Sequence, residues 1–270
     1  MKLTVITINL NNMDGLVKTV NSVLEQSFSD FGFVIVDGAS TDGSVGFIQD
    51  TANRFPGLIW VSEKDTGIFN AMNKGIAKAE GDYILFLNSG DYLVDKDVLA
   101  KVFEKERTSD ILLGAERVSK HGEPIWTTYP KASYSLKNLY HGSIAHQAAF
   151  IRKGLFERFG LYREDLRFMG DWEFFVRTLI VNHCSLEPMD ILVSDYDLEG
   201  MSSDVKNREA IFAEKDKVYT DLGLDRIIID YKRADEWLDS HKPMTWAWGK
   251  AYIRKPVEIL FRIASKKRNQ

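Results

Sequence analysis

The stretch Gly81-Asp82-Tyr83-Ile84-Leu85-Phe86-Leu87-Asn88-Ser89-Gly90-Asp91 decides the predicted fold. Its centre, Tyr83 to Leu87, is a short apolar run between turn residues, which is typical of a buried strand. Because no polar residue interrupts the run, both faces of this strand need cover, as in a parallel sheet flanked by helices. Ligands of such sheets bind just beyond the carboxyl ends of the strands. The polar residues Asn88 to Asp91 therefore mark the first place to search for a site.

The sequence before this stretch repeats the same alternation of strand and helix. Strands are predicted at 3–8, 33–36 and 58–61, and apolar residues at helical spacing predict helices within 16–24, 45–55 and 68–79. Beyond residue 106 the pattern is mixed, with strands predicted near 111–118, 125–129 and 148–151 and a helix at 171–181. The predicted fold class is α/β, with a Rossmann-like, mostly parallel central sheet flanked by helices.

Composition limits the possible classes of protein. With 270 residues, of which 44% are hydrophobic, the chain can form one large α/β domain with a smaller appendage. The single cysteine, Cys184, excludes an internal disulfide framework. No window approaches the roughly 18 consecutive apolar residues of a membrane span, so we expect a soluble or peripheral protein.

Polar side chains follow each of the four predicted strands of the first half. They are Thr7, Asn9, Asp37, Glu63, Asp65, Asn88, Ser89 and Asp91. Taken singly, each is better explained as a turn residue or a helix cap than as a functional residue. Several carboxylates at one sheet edge repel one another unless a cation or hydrogen-bond donors compensate, so together they favour a metal or nucleobase site.

Phosphate-binding glycine loops of the kinds G-x-x-x-x-G-K-[ST] and G-x-G-x-x-G are missing after the first strand. This argues against P-loop enzymes and dehydrogenases. A bound diphosphate would instead be neutralised by a divalent cation, Mn²⁺ or Mg²⁺, with Asp91 as its oxygen ligand.

Four ordered segments resemble inverting glycosyltransferases of family 2, which have the GT-A fold. They are 4–9 with 22–27, 34–43, 65–75 running into 81–91, and Gly170-Asp171-Trp172-Glu173. The resemblance covers residues 3 to about 180 and is strongest to exopolysaccharide and colanic-acid-type bacterial members. Their metal-binding motif usually reads Asp-x-Asp-Asp, whereas here only its last carboxylate, Asp91, is kept.

The resemblance implies a role for each matching residue. Asp171 would be the catalytic base; capping of the following helix would by itself explain an aspartate there, but the resemblance favours catalysis over capping. Asp91 would bind the metal ion, and the nucleotide-sugar would contact Thr7, Asn9, Asp37, Asp65, Asn88 and Ser89. We further expect contacts with the acceptor or the diphosphate from His146, Gln147 and Trp172.

The predicted activity is inverting sugar transfer from a nucleotide-diphosphate donor, with UDP preferred over GDP or dTDP, to a saccharide acceptor. We expect a role in bacterial cell-surface polysaccharide synthesis on the cytoplasmic side of the membrane, with an acceptor that could be lipid-linked, and no nucleic-acid partner. Two alternatives stay open. They are a metal-dependent nucleotidyltransferase, which usually has a basic loop after the first strand, and a non-catalytic sugar-nucleotide-binding protein.

Residues 1–105 are predicted to bind the donor, residues 106–200 to shape the acceptor side, and residues 201–270 to form a helical extension. Residues 244–270 carry seven Lys or Arg against one acid, Glu258. On a helical pattern their apolar and basic residues fall on opposite faces, which favours docking on an anionic membrane surface. Packing of this helix on the catalytic domain is the alternative.

Overall fold

The computed structural model describes residues 1–198 and 205–240, in which nine strands form one mixed sheet flanked by helices. The strands are β1 (Leu3–Asn9), β2 (Phe31–Asp37), β3 (Leu58–Ser62), β4 (Tyr83–Phe86), β5 (Tyr92–Leu93), β6 (Ile111–Lys120), β7 (Glu123–Thr128), β8 (Ala149–Arg152) and β9 (Leu186–Asp197). Their order is β3-β2-β1-β4-β8-β6-β9-β5, and β7 pairs with β6.

The helices of the first half are α1 (Met13–Leu24), α2 (Ser44–Arg54), α3 (Ile68–Lys78) and α4 (Val98–Val102). They are followed by α5 (Leu136–His141), a 3-10 turn (His146–Ala148), α6 (Gly154–Phe159), α7 (Gly170–Phe175), a π-helix (Val176–Val181), a 3-10 turn (Val205–Asn207), α8 (Arg208–Asp221) and α9 (Asp225–Ser240).

The first half of the sheet is parallel, as the sequence predicts. β1 pairs with β2 and β4, and β2 pairs with β3, all in parallel. Every residue of β1 and of β4 is buried, which confirms that both faces of these strands are covered. Because the four strands run the same way, their carboxyl ends share one edge.

The second half of the sheet is mixed. β8 is antiparallel to both β4 and β6, whereas β9 is parallel to β6. Since β8 runs away from the carboxyl-end edge, the residues just before it, His146 and Gln147, lie at that edge. β9 is a strand that the sequence did not predict.

The helix that carries Asp171 begins one residue earlier than predicted and is not α-helical throughout. Its α-helical part ends at Phe175, and a π-helix follows. Met169 is the residue that precedes the first turn, so Asp171 lies inside that turn and is not its N-cap. The alternative explanation of Asp171, that it is the N-cap of this helix, is therefore wrong.

Aromatic packing fixes α7 against the sheet. The rings of Phe156 and Phe174 stack with centroids 4.4 Å apart, and Tyr162 packs against Phe86 of β4 at 5.5 Å. Phe86 and Phe174 are fully buried. The start of α7 is thereby held close to the edge where β4 ends.

The described residues up to Val218 form one compact unit, and those from Tyr219 to Ser240 belong to a second. Residues 244–270, for which membrane docking is predicted, lie outside the described residues. Within the described part of the chain, no helix is both long and apolar enough to cross a membrane. The functional division at residues 105 and 200 stays a prediction.

Candidate active site

Asp37 organises the edge where β1, β2 and β3 end. Its carboxylate accepts hydrogen bonds from Asn9 Nδ2 at 2.9 Å, from Ser40 N at 2.9 Å and Ser40 Oγ at 2.6 Å, and from Ser62 Oγ at 2.6 Å. Burial opposes ionisation, but the hydrogen bonds, those of Ser40 foremost, outweigh it and lower the pKa of Asp37. Asp37 is therefore a buried, ionised acceptor beneath the predicted nucleotide site.

Asp65 reaches the same place from the loop after β3. A Cβ atom at Gly38 would lie only 2.7 Å from Asp65 Oδ2, so the carboxylate lies directly over this glycine. Gly38 N also donates to Asn9 O at 2.8 Å. The structure thus brings together three predicted residues, Asn9, Asp37 and Asp65. Thr7, by contrast, is fully buried within β1, and its contact with a ligand stays a prediction.

We call Asn88-Ser89-Gly90-Asp91, the turn after β4 at which the sequence predicts diphosphate binding, the diphosphate loop. Thr19 of α1 holds it, because its hydroxyl donates to Asp91 O at 2.6 Å and accepts from Gly90 N at 3.0 Å. Asn12 Nδ2 donates to Ser89 O at 2.8 Å. The sequence did not single out Thr19 or Asn12. Asn12 lies three residues after β1 and Thr19 lies inside α1, and neither position gives a local signal of contact with residues 89–91.

The Asp91 carboxyl group is 7% exposed, and burial raises its pKa to about 6, against the opposing effect of nearby His146. A second acid, Glu116 of β6, is equally buried, and burial raises its pKa to about 7. The charges of Asp91 and of the buried Asp195 contribute to the raised pKa of Glu116. The carboxyl groups of Asp91 in the loop, Glu116 in β6 and Asp195 in β9 are therefore close enough to interact, and the first two resist ionisation.

Sequence reasoning missed Glu116 and Asp195. Asp195 is 1% exposed and forms an ion pair with Arg117 and a hydrogen bond with Ser119 Oγ at 3.0 Å. The sequence held one sign that Glu116 is a candidate for the site: it is a charged residue inside the predicted strand 111–118. Its Oε1 atom is buried and has no hydrogen-bond partner within the described residues.

Asp171 is joined to the diphosphate loop by one histidine. His146 Nδ1 lies 3.0 Å from Asp171 Oδ2, and His146 Nε2 lies 3.2 Å from Asn88 Nδ2. Burial disfavours the imidazolium, but the hydrogen bond and charge of Asp171 outweigh it and raise the pKa of His146. Asp171 Oδ1 accepts from Trp172 N at 2.8 Å. Four predicted residues therefore form one connected group.

Three neighbouring side chains are buried in the protein. Trp172 is fully buried, and its indole Nε1 donates to Leu139 O at 2.9 Å. Glu173 is 2% exposed and pairs with Arg177 through two hydrogen bonds of 2.9 and 3.0 Å. Gln147 is also buried. The contacts of Trp172 and Gln147 with a ligand stay predictions.

The donor set at this edge suits a hard divalent cation. Among the described residues, no three His, Cys, Asp or Glu side chains are arranged to hold a metal ion by themselves. Mg²⁺, however, is commonly bound through one or two carboxylates together with substrate phosphates. Asp91, a buried carboxyl group that ionises above its pKa of about 6, fits that arrangement with a diphosphate present.

A parallel half-sheet with a polar edge, continued by a mixed half that carries an acid on a helix, defines the GT-A class of fold. A family model described as Glycosyl transferase family 2 matches residues 4–164. The PGL/p-HBAD biosynthesis glycosyltransferase of Mycobacterium tuberculosis is 30% identical over 240 residues, which are 85% of this chain and 90% of that protein. The chain belongs to glycosyl transferase family 2 and is a glycosyltransferase.

Other relatives and solved structures agree. An uncharacterized glycosyltransferase of M. tuberculosis is 32% identical over 225 residues, covering 78% of this chain and 80% of that protein. TarS of S. aureus, solved with UDP, has a TM-score of 0.58 at 24% identity over 73% of this chain and 60% of its own. The mannosyltransferase PcManGT of Pyrobaculum calidifontis, solved with GDP-Man and Mn²⁺, has a TM-score of 0.56 at 18% identity over 72% and 56%. These two structures share the fold.

Proposed function

We propose that this glycosyltransferase transfers a sugar from a UDP-sugar to a saccharide acceptor with inversion at the anomeric carbon. The acceptor hydroxyl oxygen bonds to the anomeric carbon as the bond from that carbon to the diphosphate oxygen breaks. Asp171 takes the hydroxyl proton, and UDP leaves with the bonding electrons. Family membership decides for sugar transfer against the nucleotidyltransferase and the non-catalytic binder.

The connected group Asn88–His146–Asp171 is the observation that carries this proposal. Its two contacts, of 3.2 and 3.0 Å, join the proposed base to the diphosphate loop. A base must be within hydrogen-bond reach of the proton that it removes, and a sugar bound through its diphosphate at that loop would extend towards Asp171. The other acid on the same helix, Glu173, is buried against Arg177, which favours Asp171 as the base.

Asn9, Asp37 and Asp65 would hold the nucleoside end of the donor, with Thr7 beneath them and with Asn88 and Ser89 at the diphosphate. A divalent cation, when bound at Asp91, would neutralise charge on the diphosphate and make it a better leaving group. UDP is proposed because TarS was solved with UDP and UDP-GlcNAc. PcManGT was solved with GDP-Man, so a thermal-shift panel of UDP, GDP and dTDP with Mn²⁺ would decide the nucleotide.

The decisive test replaces Asp171 by Asn. The amide keeps an oxygen for Trp172 N and a polar contact for His146 but cannot take a proton at pH 7. General-base catalysis is typically worth about 10²–10⁴ in rate. We therefore expect kcat to fall by at least about 10², with the dissociation constant of UDP and Tm near wild-type values. Transfer can be measured from UDP-GlcNAc to a panel of nitrophenyl glycosides.

Asp50→Asn, an exposed change on α2, is the matched control and should leave kcat unchanged. Transfer by Asp171→Asn within a few-fold of wild type would exclude Asp171 as the base. The same applies if activity is lost only in step with Tm.

Residues 244–270 suggest where the acceptor is found. We propose that their basic and apolar residues dock on the anionic cytoplasmic surface of the membrane, where a lipid-linked acceptor of cell-surface polysaccharide synthesis would lie. The 30%-identical relative is named a PGL/p-HBAD biosynthesis glycosyltransferase, and this name supports a role in the synthesis of cell-surface glycans. Cosedimentation with vesicles containing anionic lipid should be lost when 244–270 are deleted, and unchanged binding would contradict the proposal.

A further inference from the structure

The side chain of His146 is fixed by the sheet rather than by its own loop. It opens the 3-10 turn His146–Ala148, which is closed by a hydrogen bond from Ala148 N to Ala145 O at 3.1 Å. Ala148 is buried, and the next residue begins β8, which is paired with β4 on one side and β6 on the other. The ring therefore projects from a backbone that has little freedom to move.

The two ring contacts define one consistent hydrogen-bond pattern. In the amide orientation of this structure, Asn88 Nδ2 faces His146 Nε2, and with the ring neutral it donates to that nitrogen. Nδ1 then carries the proton of the neutral ring and donates it to Asp171 Oδ2. Asp171 Oδ1 meanwhile accepts from Trp172 N, so the orientation of the carboxylate is fixed at both oxygens. Each oxygen keeps lone-pair capacity for a further proton donor.

We propose that His146 is a positioning residue that locks the proposed base, Asp171, and the diphosphate loop, through Asn88, into one rigid unit. Asp171 and Asn88 belong to elements far apart in the sequence, the start of α7 and the end of β4. Inversion requires the acceptor hydroxyl and the leaving diphosphate to lie on opposite sides of the anomeric carbon. A histidine that fixes the base relative to the diphosphate loop imposes that alignment. This inference rests on the proposed function of Asp171.

Two substitutions separate the two contacts. The amide nitrogen of Asn lies the same number of bonds from Cα as His Nδ1, so His146→Asn can still donate to Asp171 but cannot reach Asn88. The amide of Gln lies as far from Cα as His Nε2, so His146→Gln can still meet Asn88 but leaves Asp171 Oδ2 without its donor. Misplacement of a reacting group by about 1 Å can cost on the order of 10²-fold in rate.

We expect His146→Gln to lower kcat by roughly 10² at saturating UDP-GlcNAc with a UDP dissociation constant near that of wild type. His146→Asn should keep a kcat within about tenfold of wild type and bind UDP more weakly, because the diphosphate loop loses its support. Combined with Asp171→Asn, His146→Gln should cost little further rate, since both changes remove the same function. His183→Asn, at an exposed residue with φ of 52°, is the control for loss of a histidine.

Equal kcat and equal UDP affinity for the Asn and Gln variants would overturn the positioning role, whatever their Tm. The positioning role would also be overturned if His146→Gln lowered kcat by the same factor in the Asp171→Asn background as in wild type. The proposed function fails by a different result, namely wild-type-like transfer by Asp171→Asn.

Discussion

At the scale of single residues, the diphosphate loop departs from the usual acidic motif in a way that its backbone explains. Gly90, which occupies the place of a missing acid, has a φ of +112°, a conformation that favours glycine. An aspartate there would be strained by roughly 1–3 kcal/mol. The loop therefore relies on Asp91 as its one carboxylate, and the neighbouring acids Glu116 and Asp195 lie on β6 and β9.

We predict that nucleotide binding depends on a divalent cation through Asp91. UDP should bind wild type at least about tenfold more tightly with Mn²⁺ than with EDTA, which corresponds to about 1.4 kcal/mol. Because the cation competes with a proton on a group of pKa about 6, this advantage should grow as pH rises from 5.5 to 7.5. Calorimetry with Asp91→Asn should show equal affinity in both buffers. Equal UDP affinity of the wild-type protein with Mn²⁺ and with EDTA would refute the prediction.

Gly38 allows a second residue-scale test. A Cβ atom added at Gly38 would lie 2.7 Å from Asp65 Oδ2, so Gly38→Ala must displace the Asp65 carboxylate. Because the end of the Asp65 side chain can move aside, this displacement should cost little stability. We expect weaker UDP binding, by about tenfold or about 1.4 kcal/mol, with an almost unchanged Tm. Gly46→Ala in α2, where a Cβ meets nothing within 4 Å, is the matched control. Should both variants bind UDP like wild type, Asp65 does not line the nucleotide site.

At the scale of elements, two helices hold the segment that leads into α7. Asn73 of α3 donates to Tyr162 O and to Glu164, each at 2.9 Å. From the other side, Glu214 of α8 accepts from the backbone N–H groups of Arg167, Phe168 and Met169 at 2.7, 2.9 and 3.0 Å. The position of Asp171 therefore depends on α3, which precedes it in the sequence, and on α8, which follows it.

We predict that Glu214→Gln loosens this segment, because a neutral amide cannot accept three N–H groups as a carboxylate does. Leaving such donors unpaired costs about 1–3 kcal/mol, which should lower Tm by about 2–10 °C. The kcat should fall more than UDP affinity, since the base moves and the nucleotide site does not. Glu209→Gln, an exposed change on the same helix, should alter neither. A stable variant with full kcat would show that α8 does not position the base.

Local patterns predicted the elements up to residue 87 because each strand and helix there has its own apolar period and its own turn residues. β9 was missed because Leu186-Glu187-Pro188-Met189-Asp190 has no clear period, and its pairing with β6 joins residues about 75 apart in sequence. That pairing brings Glu116 close to Asp195, and the pairing of β5 with β9 brings Asp91 close to Asp195. For the same reason the sequence indicated His146 and Asp171 as candidates but not the contact between them.

At the scale of the whole molecule, the buried acids make stability depend on pH. The folded state holds a proton on Glu116 up to a pKa of about 7, whereas the unfolded chain releases it near the ordinary value of 4.5. Between these values the folded state binds more protons, so the free energy of unfolding falls as pH rises. Asp91, with a pKa raised to about 6, and His146, whose pKa is also raised, act in the same direction.

We therefore predict that the protein without a divalent cation has a higher Tm at pH 5 than at pH 8. Each pH unit between the two pKa values of Glu116 is worth up to about 1.4 kcal/mol. Glu116→Gln removes this proton-binding group, so the variant should gain on wild type as pH rises, and its Tm should vary less between pH 5 and 8. Glu123→Gln, on the exposed strand β7, should follow the wild-type curve. Mn²⁺ with UDP should stabilise wild type most at pH 8, where the carboxylates at the site are ionised and their mutual repulsion is greatest. Parallel curves for wild type and Glu116→Gln would mean that Glu116 does not keep its proton in the folded state, and the stability of this edge would then have to come from its hydrogen bonds alone.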